Sequence, residues 1–263
     1  MNFSNRLNLP DPVVKALSSD DYDSGAVNSS VTTLIDAPQI KMLTRKHQDE
    51  IEGDVSDRLW SVLGTAVHNM FENHASGDYL SEERLFAEIK GWSIIFGKDS
   101  WAQQLNFYAW LVRQCKDVTV NKLQIVAVLR DWKQSEAQFK PDYPQAGIVI
   151  VDVPLWSTSQ QDDFVAGRVE LHQQAERDYI NGDPIAFCTA DERWARKPKY
   201  AVMKKGRKKA VKLHTDEVEA LSHCERLGAG HSVDHRKGES VRCERYCEVS
   251  KFCQQHKEEA END

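Results

Sequence analysis

Apolar and polar positions follow two different periods along this chain, and each period predicts one kind of element. Three long segments repeat their apolar residues at helical spacing, namely 54–74, 101–115 and 159–179. Four short runs have the alternation or the valine and isoleucine content of strands, namely 82–89, 92–96, 123–129 and 147–153. The sequence therefore predicts an α/β fold with a small mixed central sheet flanked by helices.

The chain changes character near both of its ends. Up to residue 29, prolines and an acidic stretch predict a flexible N-terminal arm. Residues 30–183 carry the periodic pattern and are expected to form the core domain. Cysteines, charges and turns dominate residues 184–263, where we expect a basic hairpin followed by a cysteine cluster.

The composition is typical of a protein with one substantial core. The chain has 263 residues, of which 40% are hydrophobic. It contains no run of about 20 apolar residues, the length that a membrane helix needs. We therefore expect a cytoplasmic protein that does not enter a membrane, and the sequence leaves its protein partners open.

Positive charge is concentrated in one segment, although the chain as a whole has a net charge of -7. No acidic residue occurs between Glu192 and Asp216. The predicted tip of a hairpin in this segment carries five cations: Lys204, Lys205, Arg207, Lys208 and Lys209. These side chains are candidate contacts for DNA phosphates, and the alternative is a hairpin whose lysines only keep the surface solvated.

Two short patterns could supply chemistry. His68 and Glu72 lie one helical turn apart, so both can face one cleft. In Glu88-Ile89-Lys90, strand alternation puts a carboxylate and an ammonium on one face, where a carboxylate-held divalent ion and the lysine could activate water. The structural alternatives are a hydrogen-bonded core histidine and a solvated ion pair on an edge strand.

A third pattern lies on the helix that follows. Gln104 and Tyr108 are one turn apart there, and an amide with a phenol can orient a DNA phosphate or a metal-bound water. The alternative places Tyr108 in the core and Gln104 at its rim. Asp78, which follows a glycine, could supply a second carboxylate for the ion.

The order of these patterns resembles the RecB-like branch of the PD-(D/E)xK nucleases, especially its phage-encoded members. The resemblance runs from about Ser30 to Gln255 and includes three segments: Gly-Thr-Ala-Val-His at 64–68, Glu-Arg-Leu at 83–85 and Gln-Leu-Asn-Phe-Tyr at 104–108. It implies a restriction-endonuclease-like core. It also implies that His68 is a ligand of Mg²⁺ or Mn²⁺ and that Gln104 and Tyr108 assist at the DNA.

The middle of the family's motif set is compressed in this chain, because Gln104 is only the nineteenth residue after Leu85. One alignment makes Glu88 and Lys90 the catalytic pair, with Asp78 as the aspartate and Asp78 and Glu88 as further metal ligands. The other alignment places Glu88 and Lys90 in the tail of the first strand. The acidic hairpin and its metal ligands would then be missing.

Three cysteines follow one another closely near the C-terminus: Cys243, Cys247 and Cys253. Such a cluster in a cytosolic protein favours metal ligation, with Cys188 or Cys224 as the fourth ligand. Cys188 is expected in an accessible loop, whereas Cys115, on a helix with apolar neighbours, is expected in the core. Because RecB-like relatives close their nuclease domain with a four-cysteine staple, the resemblance implies a [4Fe-4S] cluster first and zinc second.

Together these features predict a divalent-metal-dependent deoxyribonuclease that cleaves DNA phosphodiesters from an end. Mg²⁺ or Mn²⁺ would be the catalytic ion, and DNA would be the partner. The alternative is a catalytically inactive DNA-binding or scaffold protein that retains the nuclease fold and the metal staple.

Overall fold

The computed structural model describes residues 2–18, 29–72, 86–89, 92–95, 101–116, 118–129 and 131–261. Over these residues the protein is a mixed α/β structure with several small sheets. The chain divides into two compact units. The first unit comprises residues 1–38 and 52–184, and the second comprises residues 39–51 and 185–263.

The helices in the described part of the chain are α1 (Asp11–Ser18), α2 (Val31–Ile35), α3 (Pro38–Lys46), α4 (Leu59–Glu72), α5 (Trp101–Cys115), α6 (Gln134–Phe139), α7 (Thr158–Asn181), α8 (Glu217–Leu227), α9 (Val241–Arg245) and α10 (Gln254–Glu261). Short 3-10 turns occur at Val55–Arg58 and Ser250–Phe252. The strands described are β1 (Asn2–Ser4), β2 (Ser29–Ser30), β3 (Glu52–Asp54), β4 (Phe86–Ile89), β5 (Trp92–Ile95), β6 (Leu123–Val128), β7 (Ile148–Val153), β8 (Ala195–Arg196), β9 (Lys199–Lys204), β10 (Lys212–His214), β11 (His231–Arg236) and β12 (Glu239–Ser240).

The strands of the first unit form small separate sheets. β5 lies between β2, which runs parallel to it, and β4, which runs antiparallel, so this sheet is mixed. β6 and β7 form an antiparallel pair, which confirms the predicted pairing of these two valine-rich runs. Over the described residues, β6 and β7 do not join the sheet of β4 and β5, so the strands form two sheets where the sequence predicts one.

The core of the first unit lies where α2, α5 and α7 meet. Its buried side chains are Val31, Leu34, Ile35, Phe107, Trp110, Leu111, Val112, Val165 and Val169. α5 also contacts β4, β6 and β7, so it is covered on several sides. This position explains why the helix is apolar around most of its circumference.

Two polar side chains hold the short helix α2 in place. A helix of five residues is not stable alone, so its terminal backbone groups need partners. At its start, the hydroxyl of Ser30 accepts a hydrogen bond from the backbone N–H of Thr33 at 3.1 Å. At its end, Arg168 of α7 donates to the carbonyl of Leu34 at 2.6 Å and to that of Asp36.

α7 confirms the long helix predicted for residues 159–179. The Ser157 hydroxyl and the Gln160 side chain form a capping box at its start. At its end, Gly182 adopts a φ of 77°, a left-handed conformation that glycine accepts without steric cost. Both end signals are present in the local sequence, which is why the helix could be predicted.

Residues 2–18 form β1 and α1 where the sequence predicts a flexible arm. β1 pairs in parallel with β3, and the buried carboxylate of Asp54 accepts hydrogen bonds from the hydroxyl of Ser4 at 2.7 Å and the backbone N–H of Arg6 at 2.8 Å. Asp54 also accepts from the hydroxyl of Ser56 at 2.6 Å. The contacts of Asp54 with Ser4 and Arg6 join positions about fifty residues apart, so no local pattern could predict them. Residues 19–28 of the predicted arm lie outside the described residues.

The second unit contains an antiparallel sheet of strand order β10, β9, β11, with α8 packed against it. β9 and β10 confirm the hairpin predicted around the basic segment. β8 and β12 form a short antiparallel pair that leads into α9. In the described part of the chain, no helix is long and apolar enough to cross a membrane.

We predict that Asp54→Asn destabilises the first unit and changes its acid unfolding. Hydrogen bonds from Ser56, Ser4 and Arg6 hold the pKa of Asp54 well below its usual value. A carboxyl group with a lower pKa in the folded state stabilises the fold above its unfolded pKa, and this contribution is lost as the pH falls below about 4. Thermal unfolding followed by circular dichroism should therefore show a lower midpoint for the variant at pH 7.

The difference in thermal midpoint between Asp54→Asn and the wild-type protein should become smaller as the pH falls below about 4. Asp57→Asn is the matched control, because Asp57 is a neighbouring carboxylate that is 61% exposed. An equal loss of stability in both variants, or a difference that does not depend on pH, would contradict the role given to Asp54.

Candidate functional site

The proposed hydrolytic residues are described only in part. His68 lies in α4 and Glu88 lies in β4, but the description of both residues stops at the backbone. Asp78 and Lys90 lie outside the described residues. The structure therefore gives the elements that carry two of these residues and leaves the convergence of their side chains a prediction.

The register of β4 and β5 bears on the two alignments of the acidic motif. Glu88 pairs with Ser93, and Ile89 pairs with Trp92, so only two residues connect the strands. β4 ends at Ile89, one residue before Lys90. Over the described residues, β4 has no other strand partner than β5. This connection has no room for a further hairpin between β4 and β5, and the choice between the two alignments stays a prediction.

Gln104 and Tyr108 lie together on α5. The side-chain amide of Gln104 donates a hydrogen bond to the hydroxyl of Tyr108. Gln104 is buried, and Tyr108 packs against the core of the first unit. These contacts match the structural interpretation of Tyr108, and they leave the pair's role at a DNA phosphate as a prediction.

Asn106 is a buried polar residue on α5 that the sequence patterns do not single out. Its side-chain amide donates to the carbonyl of Pro154 at 3.0 Å and accepts from the backbone N–H of Trp156 at 2.8 Å. Both partners lie just before α7. The side chain is fully buried and bonds to backbone groups of the segment between β7 and α7, so it has a structural role.

Four cysteines of the second unit line one small, largely enclosed cavity: Cys188, Cys243, Cys247 and Cys253. Cys188 lies in the loop before β8, and Cys243 lies on α9. Cys247 follows α9, and Cys253 precedes α10. The structure thus brings Cys188, rather than Cys224, to the three clustered cysteines.

The other two cysteines lie elsewhere. Cys224 lies on α8 and is not among the residues that line this cavity. Cys115 is exposed, so the prediction that it lies in the core is wrong. It is the last residue of α5, where the helix extends beyond the buried cluster.

Two buried glutamines fix the loop that carries Cys188. Gln39 accepts hydrogen bonds from the backbone N–H and the thiol of Cys188, at 3.2 Å and 3.0 Å. Gln255 accepts from the same N–H at 2.9 Å and donates to the Cys188 carbonyl at 2.9 Å. Sequence reasoning missed both glutamines, because Gln39 lies 149 residues from Cys188 and belongs to no motif.

The thiols of this cavity influence one another. Burial raises the pKa of Cys188 to about 12, and the charges of Glu192 and of the other three cysteines add to the effect. The pKa of Cys243 is also raised, chiefly by burial and then by Cys247 and Cys253. The cavity as such therefore disfavours thiolates, and a bound cation would reverse this preference, since thiolates are its ligands.

The donor set fits a thiolate-bound metal by its chemistry. Four thiols on one cavity are the ligand number and type of both structural zinc and iron–sulfur centres. Over the described residues, no three histidine, cysteine or acidic side chains are arranged to hold a single metal ion. The geometry of the described residues therefore supports neither zinc nor an iron–sulfur cluster by itself, and both stay predictions.

The basic tip, which we define as Lys204–Lys209, is exposed at the end of the β9–β10 hairpin. The backbone N–H of Arg207 donates to the carbonyl of Lys204 at 2.9 Å, and Gly206 between them has a φ of 84°. This turn requires a residue that accepts a left-handed conformation. None of the five cations of the tip forms an ion pair with a described residue, so all five can meet phosphates.

A histidine pair lies between the sheet of this hairpin and α8. His214, at the end of β10, is buried, and its Nε2 lies 2.9 Å from Nδ1 of His223 on α8. Its other ring nitrogen lies 3.5 Å from a carboxylate oxygen of Glu219. The pair thereby connects the helix to the strand that supports the basic tip.

No protein-family model, no curated protein and no solved structure matches this chain.

We predict that the contact between α8 and β10 weakens as the pH falls from 7 to 5. Burial lowers the pKa of His223, and the neighbouring charges of His214, Lys212, Arg226 and His231 lower it further. A base with a lower pKa in the folded state costs stability once it is protonated. Stability is therefore full above the unfolded pKa of about 6.5 and is lost as the pH falls below it.

Amide hydrogen exchange of α8 and β10 measures this effect directly. In wild-type protein the protection should decrease from pH 7 to pH 5 after correction for the intrinsic exchange rate. In His223→Gln the change should be smaller, whereas His256→Gln, which alters a histidine of α10, should behave like wild type. The assignment to His223 is wrong if His223→Gln retains the full pH dependence.

Proposed function

We propose that this protein is a DNA-processing protein of the PD-(D/E)xK class whose second unit is built around a thiolate-bound metal centre. The observation that carries the proposal is the convergence of Cys188 with the 243–253 cysteines on one enclosed cavity. The RecB-like resemblance implies a four-cysteine staple in this part of the chain. A shared cavity for the same four residues supports it, because scattered structural cysteines have no reason to meet.

A [4Fe-4S] cluster is our first choice for this centre, and zinc is the second. Cys188, Cys243, Cys247 and Cys253 would hold either group, which would join the loop before β8 to the segment from α9 to α10. Such a centre stabilises the fold of a region with few apolar residues, since its binding free energy becomes folding free energy.

The proposed activity is hydrolysis of DNA phosphodiesters from an end, in the cytoplasm. His68, Asp78 and Glu88 are the proposed ligands of Mg²⁺ or Mn²⁺, an ion that would supply an activated water and neutralise phosphoryl charge. Lys90 would position the water, and Gln104 and Tyr108 would orient the phosphate. The basic tip would add affinity that does not depend on base sequence.

A second candidate function is DNA binding without hydrolysis. The two-residue connection between β4 and β5 favours it, because this connection leaves no room for an additional acidic hairpin between these strands. A histidine without carboxylates is a poor site for Mg²⁺, which prefers oxygen ligands. Under this alternative, the protein keeps the metal staple and the basic tip but lacks the catalytic ion.

Metal analysis of anaerobically purified protein tests the thiolate centre. We expect a broad visible absorbance band and about four irons per chain for a [4Fe-4S] cluster. Cys188→Ala and Cys247→Ala should both lose the band and most of the iron. Cys115→Ala and Cys224→Ala are matched controls and should keep both. A colourless protein with one zinc per chain would favour the second choice, and no bound metal in fresh protein would contradict the centre.

Nuclease assays with Mn²⁺ on end-labelled DNA distinguish the two candidate functions. For an active enzyme, Glu88→Ala and Lys90→Ala should lower the rate by at least about 100-fold, because each removes a group that acts in the transition state. Asp142→Ala alters an exposed carboxylate of the same unit and should keep the wild-type rate. If the wild-type protein binds DNA but does not cleave it, hydrolysis is excluded and DNA binding becomes the supported function.

A further inference from the structure

Two large aromatic rings lie exposed side by side on the second unit. Trp194 is 51% exposed and Tyr246 is 65% exposed. Their ring centroids are 5.4 Å apart, with the planes inclined by 56°, so the rings do not cover each other's faces. Aromatic side chains of this size normally bury most of their apolar area. We call this pair the aromatic platform.

The backbone at Trp194 suits glycine better than tryptophan. Its φ is 52°, and its backbone N–H donates to the carbonyl of Asp191 at 3.0 Å. The backbone N–H of Ala195 donates to the carbonyl of Ala190 at 2.9 Å. This hydrogen-bond pattern ends a helical turn, and glycine commonly occupies its left-handed position. The turn itself therefore does not explain a tryptophan, which points to a use for the exposed ring.

Arg242 contacts both of the segments that carry the aromatic platform. Its guanidinium carbon lies 5.6 Å from the ring centroid of Trp194, and its backbone N–H donates to the carbonyl of Arg193 at 3.1 Å. The backbone N–H of Tyr246 in turn donates to the carbonyl of Arg242 at 2.9 Å. The rings are thus positioned before any ligand arrives, which lowers the entropic cost of binding.

Two exposed arginines lie beside the platform in the sequence and share one carboxylate. Arg196 and Arg245 lie 2.9 Å and 3.2 Å from the two oxygens of Glu239. One negative charge cannot neutralise two guanidinium groups, so a positive charge remains for an anionic ligand. Exposed fractions of 66% and 56% leave both arginine side chains accessible to it.

The aromatic platform alone is not strongly basic, because the exposed Glu244 and Glu248 flank Tyr246 in the sequence. Further positive charge lies on the basic tip, which β9 connects to this region in the chain. β9 starts at the exposed Lys199 and, after six residues, ends at the basic tip. A strand of this length spans about 17 Å, which matches the backbone of a few nucleotides.

We propose that the aromatic platform binds single-stranded DNA by stacking of its bases. Trp194 and Tyr246 would hold unpaired bases, Arg196 and Arg245 would contact the adjoining phosphates, and the basic tip would contact the strand further on. Duplex bases are already stacked on one another, so the rings discriminate in favour of single strands. This inference rests on the proposed function, because it takes DNA as the ligand.

Fluorescence anisotropy with a labelled oligothymidylate and a labelled duplex of equal length tests the platform. The full-length protein with its metal centre is used without added divalent cation, so that no DNA is cleaved. Trp194→Gly should weaken single-strand binding by roughly 5- to 100-fold, as expected for a lost base stack, and Tyr246→Ala should act in the same direction. Duplex binding should stay within about twofold of wild type, with an unchanged salt dependence.

The glycine variant also separates binding from folding. Trp194→Gly relieves the left-handed conformation, so its thermal midpoint should stay the same or rise while single-strand affinity falls. Trp194→Phe retains an aromatic face and should bind with intermediate affinity. Phe139→Ala is the matched control, because Phe139 is an aromatic side chain of α6 that is 82% exposed.

The possible outcomes distinguish a failure of the proposed function from a failure of the platform. A wild-type protein that binds neither DNA would overturn both the proposed function and the platform. Wild-type binding to both DNAs, unchanged in Trp194→Gly, would overturn only the platform and leave contact with another protein as the use of the rings. If Trp194→Gly loses affinity for single-stranded DNA and for duplex DNA equally, base stacking is excluded.

Discussion

The second unit brings four cysteines to the lining of one small, largely enclosed cavity. Cys188 reaches this cavity because Gln39 and Gln255 fix the loop that carries it. Burial and the neighbouring cysteines raise the pKa of Cys188 and of Cys243, so both stay neutral thiols unless a bound cation stabilises their thiolates. Four cysteines that line one cavity are explained better by a ligand than by packing, since packing alone does not require thiols.

The aromatic platform lies on segments of the chain that also carry cysteines of this cavity. Tyr246 lies between Cys243 and Cys247, and Arg242 precedes Cys243. A metal bound by these thiols would therefore restrain the residues that position the aromatic rings. In this view the metal centre is structural, and its contribution to DNA binding is to keep α9 and the loop before β8 in a fixed relation.

The features that the sequence predicted correctly are those encoded locally. α7 has a capping box at its start and a glycine at its end, and β6 and β7 are valine-rich runs separated by a polar connection. The cysteine cluster was visible because its members are close in the sequence. Periodicity and capping act over a few residues, so a single sequence contains enough information to place such elements.

Features that depend on distant partners could not be predicted in the same way. Asp54 orders β1 through contacts that cross about fifty residues, and Gln39 supports a cysteine 149 residues away. The left-handed backbone of Trp194 has no sequence signal either, because the turn would normally carry glycine. The apolar neighbours of Cys115 predict a position in the core, but Cys115 is exposed because the end of α5 extends beyond the buried cluster.

The proposed hydrolysis and the proposed binding to single-stranded DNA involve different parts of this chain. The candidate carboxylates and His68 belong to the first unit, whereas the basic tip and the aromatic platform belong to the second. Loss of the acidic hairpin would remove ligands for Mg²⁺ without altering any cation or exposed ring of the second unit. The proposed affinity for DNA therefore does not depend on which of the two alignments around Glu88 is correct. A protein that has lost catalysis in this way would keep a reason to retain its four cysteines.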